Sequence, residues 1–278
     1  MTTLKTALIN KYKDNSYGEF ESQAEVDFAI EIITGLTKKE LAMGIAISAE
    51  DEVRIKKAIE RRLRTREPLA QILGKTFFMN EKFTVTKDTL IPRPETELLV
   101  RKAVEIINKN NCKQVLDLGT GSGCIACMIA KIADVQVFGI DISKNALNVA
   151  LNNAMDMGLM NRALFRKSDF FSNVQEKFDL IVSNPPYIPP KEKETLQFEV
   201  LEYEPELALF TTDEHGIENY EKIISKASSY LNPDGHVVFE LGISQSQLVA
   251  EIFKFYGFKD IEIIKDLSGI DRVISASF

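Results

Sequence analysis

Six residues in the second half of the chain, Ser183-Asn184-Pro185-Pro186-Tyr187-Ile188, follow directly on an apolar run, Phe178-Asp179-Leu180-Ile181-Val182. Two prolines cannot continue a central ladder, because each lacks the N–H that the ladder needs. They stiffen the turn and strip it of donors. What is left is rich in acceptors: the Asn184 side-chain oxygen, the Pro185 carbonyl, and beside them the flat ring of Tyr187. Such a turn suits a planar N–H₂ group. An amide or exocyclic amine delocalises its nitrogen lone pair and is a poor nucleophile. Two acceptors that hold both N–H bonds stabilise the positive charge that develops as the nitrogen attacks a methyl group. This is positioning and electrostatic preorganisation, and it needs no general base. A purely structural proline turn is the plainer explanation, and the place of this one at a strand end beside a glycine loop weighs against it.

That loop is Gly119-Thr120-Gly121-Ser122-Gly123, preceded by Asp117-Leu118 at the end of another apolar run. Alternate glycines let the backbone turn tightly and come close to a ligand. The helix that follows offers free N–H groups at its start. A dinucleotide fingerprint needs G-x-G-x-x-G, and the sixth position here is Cys124. A nucleoside without a pyrophosphate asks less of that helix. Asp141 ends the next strand, where a carboxylate can accept both ribose hydroxyls. Asp141 as a mere helix cap is the competing explanation, but Ser143 is the better cap. Asp169 and Phe170 end the third strand, and for Phe170 alone ordinary core packing is the simpler role.

These residues need a scaffold that brings strand ends together. From Gln114 onward apolar runs alternate with amphipathic stretches: strands 114–118, 135–140, 162–167, 178–182 and 235–241, with helices 123–133, 143–157, 217–231 and 244–256 between them. That rhythm predicts a doubly wound, mostly parallel sheet, with ligands at the carboxyl ends of its strands. The last two strands, 259–265 and 271–277, are joined too closely for a crossover and should pair antiparallel. A helix entered at Pro94 precedes the sheet. Residues 1–70 carry only helical stripes, such as Val53, Ile55, Ile59 and Leu63. Phe77–Val85 alternates about a turn at Asn80-Glu81-Lys82 and reads as a hairpin. The expected organisation is a helical domain over 1–70, a linker with a β-hairpin over 71–92, and a catalytic domain over 93–278.

Composition narrows the function. Thirty-four basic against 41 acidic residues leave a net charge of −7, which excludes a strongly basic nucleic-acid binder. No apolar run is long enough to span a membrane, and the first residues have no signal-type core. Three cysteines do not make a disulfide framework, so a cytoplasmic protein is expected. Cys124 and Cys127 have C-x-x-C spacing but no second pair, and small buried residues are the better reading. His215 and His236 are read as surface or loop residues, with no metal site. The cluster Arg61-Arg62-Leu63-Arg64-Thr65-Arg66 is read as a solvated helix end.

The glycine loop with Asp141 resembles the class I S-adenosyl-L-methionine-dependent methyltransferases, with their Rossmann-like seven-stranded α/β fold. Asn-Pro-Pro-Tyr occurs in several amino-methyltransferases, adenine-N6 enzymes among them. Further strings narrow the resemblance: Ile91-Pro92-Arg93-Pro94-Glu95-Thr96-Glu97, Asp117 to Cys124, Ser183 to Ile188, Glu204-Pro205-Glu206-Leu207-Ala208-Leu209, and Asp266-Leu267-Ser268-Gly269-Ile270-Asp271-Arg272. Together they resemble, over essentially the whole chain, the HemK/PrmC family of protein-(glutamine-N5) methyltransferases. The resemblance implies S-adenosylmethionine held by Gly119, Thr120, Gly121, Ser122, Gly123, Asp141, Asp169, Phe170 and Asn184. The loop would wrap the methionine part, Asp169 would approach the adenine amino group and Phe170 would border the ring. It implies a substrate glutamine, in the Gly-Gly-Gln motif of class 1 peptide chain release factors, bound by Asn184, Pro185, Pro186 and Tyr187. Residues 1–70 would grip the release factor, and no direct nucleic-acid binding is expected. One stretch departs from the family. Where a glycine-rich Gly-Gly-x-Asp-Gly is usual, this chain has Thr211-Thr212-Asp213-Glu214-His215-Gly216. A nucleic-acid amino-methyltransferase using the same turn is the alternative function. A non-catalytic module binding a translation factor through residues 1–70 is another, disfavoured by an intact Asn184 and glycine loop.

Overall fold

Short β-branched runs separated by amphipathic helices can bury both faces only in a sheet covered on two sides. The computed structural model describes residues 3–15 and 17–278. Its contacts divide the chain into two compact units. One runs to Thr76 and takes in Gln197–Tyr203, and the other comprises Phe77–Leu196 and Glu204–Phe278.

The first unit is helical. Helices α1 (Thr3–Lys13), α2 (Glu19–Thr34), α3 (Lys38–Ala42), α4 (Ala49–Thr65) and α5 (Leu69–Leu73) surround a core of Tyr12, Val26, Ile30, Ile55, Ile59 and Leu69. Polar caps set two of the helix starts. Ser48 accepts the Asp51 N–H, and Thr37 forms a reciprocal capping box with Glu40. The arginine cluster departs from expectation at Arg62. Its side chain is buried, 3.3 Å from Glu25 and 3.0 Å from Glu199, because a long cation on the inner face of α4 finds two carboxylates there. Arg61, Arg64 and Arg66 do remain on the surface.

The hairpin forms as β1 (Lys75–Phe78) and β2 (Glu81–Thr84), turning through Met79 and Asn80, both at positive φ. Helix α6 (Thr96–Asn110) begins two residues later than Pro94 suggested. The Thr96 and Glu97 N–H groups reach back three residues, to Arg93 and Pro94, in a tight turn that delays the helix.

The second unit then alternates: β3 (Gln114–Leu118), α7 (Cys124–Ile132), β4 (Gln136–Asp141), α8 (Lys144–Asp156), β5 (Ala163–Lys167) and β6 (Phe178–Ser183). After a long connection come α10 (Glu218–Tyr230), β7 (Leu231–Glu240), α11 (Ser246–Phe255), β8 (Lys259–Lys265) and β9 (Asp271–Ser277). The connection is partly ordered. It holds two 3₁₀ turns, a single parallel bridge between Ile188 and Phe210, and helix α9 (Phe198–Tyr203), which belongs to the first unit.

Among the described residues the sheet has seven strands in the order β5-β4-β3-β6-β7-β9-β8. The first five are parallel, and β9 runs antiparallel to both β7 and β8, as their short connection demands. Period-two alternation sorts the side chains. Val115, Leu180, Val182 and Val238 face α6 and α7, whereas Leu116, Leu118, Ile181 and Phe239 face α10 and α11. Cys124 and Cys127 are buried in the first of these cores and His236 lies on β7, not in a loop.

One glycine of the loop is packed too closely for a side chain. Gly123 has φ +78° and caps α7, and a Cβ there would come within 2.9 Å of Ala150 Cβ on α8. Gly123→Ala therefore combines left-handed strain with overpacking, and we expect a loss of ~1–3 kcal/mol in urea denaturation. An unchanged midpoint would show that α8 yields freely.

Candidate active site

The order β4-β3-β6 places three chemical segments on neighbouring strand ends. The glycine loop follows β3, Asp141 closes β4 and Asn184 follows β6. Residues 119–122, 141, 169, 170, 184 and 186 line one cavity of about 410 Å³ there. Gly123, Pro185 and Tyr187 of the expected set do not line it. Gly123 is spent on the α7 cap, Pro185 is buried, and the Tyr187 ring packs into the α10–α11 core.

Asp141 sits where backbone donors converge. Its two oxygens accept the N–H of Gly121 at 2.9 Å and of Ser143 at 2.8 Å. A carboxylate has lone pairs left over after two such bonds, so it can still receive hydroxyls. Burial pushes its pKa up, and those backbone hydrogen bonds work against the rise. Ser143 accepts the Ala146 N–H at 3.2 Å and caps α8, so the capping role falls to serine. The loop itself is pinned to β4 by the Gly119 and Thr120 N–H groups, both 2.9 Å from the Ile140 carbonyl.

Asp169 is exposed at the cavity rim. Phe170 has φ +42°, a left-handed conformation unusual for an aromatic residue. The Ser168 hydroxyl donates to its carbonyl at 2.6 Å and secures the bend that turns the ring to the cavity.

The proline turn leaves two acceptors unpartnered. Neither the Asn184 side chain nor the Pro185 carbonyl has a hydrogen-bond partner among the described residues. The Tyr187 hydroxyl lies 3.5 Å from Glu240, and burial followed by that carboxyl raises the phenol pKa far above its ordinary value. Glu240 itself is buried at the end of β7, which lifts its pKa to about 7.

Several lining residues carried no recognisable sequence signal. Lys87 to Leu90 of the linker form one wall, with Ile142 after Asp141 and Asn219 of α10 on others. Arg93 pairs with the buried Glu204, so two of the strings quoted above, Ile91–Glu97 and Glu204–Leu209, meet in one ion pair. Another of the five, Asp266–Arg272, closes on itself through Arg272 and Asp266 at 3.0 Å. The atypical 211–216 stretch folds tightly: Asp213 accepts N–H groups from His215 and Ile217, and Gly216 takes φ +71°.

The match to known proteins agrees with this geometry. The model of a methyltransferase domain family matches residues 109–257. The release factor glutamine methyltransferase of Thermodesulfovibrio yellowstonii is 43% identical over 232 residues, 82% of each chain. The chain belongs to that family. Its namesake from Geobacter sulfurreducens is 38% identical over 260 residues, covering 92% of this chain and 90% of that one. The family fold also extends beyond it. The hMettl16 catalytic domain, solved with a MAT2A 3′UTR hairpin, has a TM-score of 0.59 at 14% identity, covering 83% of this chain and 82% of that one.

Asp117 is the acid of the glycine loop that faces away from the cavity. It is fully buried and accepts the Thr120 hydroxyl at 2.6 Å, and burial raises its pKa to about 7. Between the ordinary value of 3.8 and about 7 the folded state therefore binds the extra proton, and stability falls as pH rises through that window. Asp117→Asn keeps the acceptor and removes the titration. Glu240 titrates in the same range, so urea denaturation across pH should show a shallower fall of stability in the variant, not a flat one. An unaltered slope would mean that Asp117 stays ionised.

Proposed function

We infer that this protein transfers a methyl group from S-adenosylmethionine to the side-chain amide nitrogen of a glutamine in peptide chain release factors, in their Gly-Gly-Gln motif. Family membership supports the reaction. The single observation that carries the site is the acceptor pair, Asn184 side chain and Pro185 carbonyl, without hydrogen-bond partners among the described residues, beside the cavity of the glycine loop.

The residues present fit the methyl donor. Asp141 retains lone pairs for ribose hydroxyls, the loop from Gly119 to Ser122 presents backbone to the cavity, and Phe170 offers a ring face. When bound, S-adenosylmethionine supplies a methyl group activated by a sulfonium. The chain's own part is to hold the amide. Asn184 accepts one N–H and the Pro185 carbonyl the other, which turns the nitrogen toward the donor and stabilises its developing positive charge. The nitrogen becomes strongly acidic as it is alkylated, so its proton needs no protein base. Tyr187, held neutral by burial, supplies the buried end of the turn instead of a base.

The same turn in a nucleic-acid amino-methyltransferase would need a surface that neutralises phosphates, and the net charge of −7 disfavours it. Residues 1–70 serve as the second grip on the release factor in this reading. Phe20 and Met43 support that role, exposed at 93% and 73% although both are large and apolar.

Asp141→Ala should weaken S-adenosylmethionine binding by ~10–100-fold in calorimetry, since hydrogen bonds to a charged group are worth about 1.5–3 kcal/mol. Unchanged affinity in a folded variant would remove Asp141 from the ribose site. Asn184→Ala should lower single-turnover methylation of a release factor by ~10²–10³ with little change in substrate affinity, because the contact strengthens only as charge develops. A normal chemical step in that variant would refute the amide-holding role.

A further inference from the structure

A turn without N–H groups at its centre cannot be braced by its own donors, yet the acceptors of this one must not move. Asn184–Tyr187 lies beyond the last ladder residue of β6, Ser183. Its fixing has to come through its carbonyls. Two buried side-chain amides reach them. Asn219 Nδ2, in the first turn of α10, donates to the Pro186 carbonyl at 2.9 Å. Gln245 Nε2, at the start of α11, donates to the Tyr187 carbonyl at 2.8 Å and to the His215 carbonyl at 2.9 Å, and lies 3.3 Å from the Gly216 carbonyl. Its Oε1 accepts the Gly242 N–H at 3.1 Å. Both side chains are at most 7% exposed.

We propose that Gln245 and Asn219 are positioning residues that clamp the carbonyls of Pro186 and Tyr187, so that the Asn184 side chain and the Pro185 carbonyl are held in place for the substrate amide. The proposal rests on the reading of that turn as the amide site.

Two glycines show how closely the clamp is fitted. A Cβ on Gly216 would come within 2.1 Å of the Tyr187 carbonyl oxygen and 2.5 Å of Gln245 Nε2. A Cβ on Gly242 would come within 2.4 Å of Gln245 Oε1 and 2.8 Å of the Tyr187 ring. The backbones of the 211–216 stretch and of the β7–α11 connection therefore press against the same glutamine from two sides. This also explains what the atypical stretch keeps. It lacks the usual paired glycines, but it retains the one whose Cβ would displace Tyr187. Preorganised acceptors stabilise a developing charge only if they do not reorient as it forms, and a shift of about 1 Å in such a site costs up to ~10² in rate. The clamp supplies that rigidity to a turn that has no ladder of its own.

The test uses the full chain, S-adenosylmethionine and a purified release factor. Gln245→Met removes both donors at similar volume. It should lower kcat by ~10–100-fold while the KM for the release factor and the calorimetric affinity for S-adenosylmethionine stay within about twofold of wild type. Gln245→Glu, assayed in alkaline buffer, keeps the acceptor for Gly242 and loses the donors, so it should be as slow as Gln245→Met. Asn219→Leu should fall in the same direction and carries the test if the methionine variant fails to fold. Wild-type kcat in Gln245→Met, full rescue by Gln245→Glu, or a loss of cofactor affinity equal to the loss of kcat would each overturn the clamp. A wild-type protein that binds S-adenosylmethionine but methylates no release factor would instead overturn the functional reading, and the clamp with it.

Discussion

The parallel pairing of β3 with β6 is the contact on which the site depends. Leu118 lies opposite Ser183, and the Ser183 hydroxyl donates to the Leu118 carbonyl at 2.7 Å inside the sheet. The glycine loop and the proline turn, far apart in sequence, thereby leave the sheet side by side. A parallel pair can be made only through crossover connections, and these put helices on both faces and the loops at one end. Cofactor and substrate groups on adjacent strand ends follow from that topology.

Electrostatics divides the acids of this region into two kinds. Asp141 receives backbone N–H groups on both oxygens and opens onto the cavity. Asp117 and Glu240 are sealed in the protein, each with an oxygen that has no partner among the described residues, and burial raises both to about 7. A buried carboxyl near neutrality stabilises its surroundings as an acid rather than as a charge. Glu240 lies behind Tyr187, so the back of the turn is also a place where a negative charge is disfavoured.

Much of this was legible in the sequence, and the reasons are local. Strands 259–265 and 271–277 stand where alternation and a short connection put them. The parallel strands announced themselves because both faces are buried, which gives continuous apolar runs such as Val135–Ile140. Asp141 and Asn184 were visible from their places at or just after strand ends, and Phe170, expected to end the third strand, lies three residues beyond β5 in a 3₁₀ turn that still lines the cavity. What escaped depends on long-range contacts. Arg62 looked like a surface cation until Glu25 and Glu199 supplied its partners, the second of them 137 residues away. Asn219 and Gln245 lie in ordinary helix starts, and nothing in their neighbours reveals that their amides reach back to the proline turn. The start of α6 was misplaced because Pro94 fits a first helical position, yet the chain takes one tight turn before the helix.

The most direct measurement is mass spectrometry of a release factor after incubation with the wild-type protein and S-adenosylmethionine, with DNA and RNA as parallel substrates. The predicted result is one added methyl group, located by fragmentation on the side-chain amide of the glutamine in Gly-Gly-Gln. A methyl group on another residue or on nucleic acid, or none on an intact release factor, would contradict the assignment of Asn184 and Pro185 as the site that holds a glutamine amide.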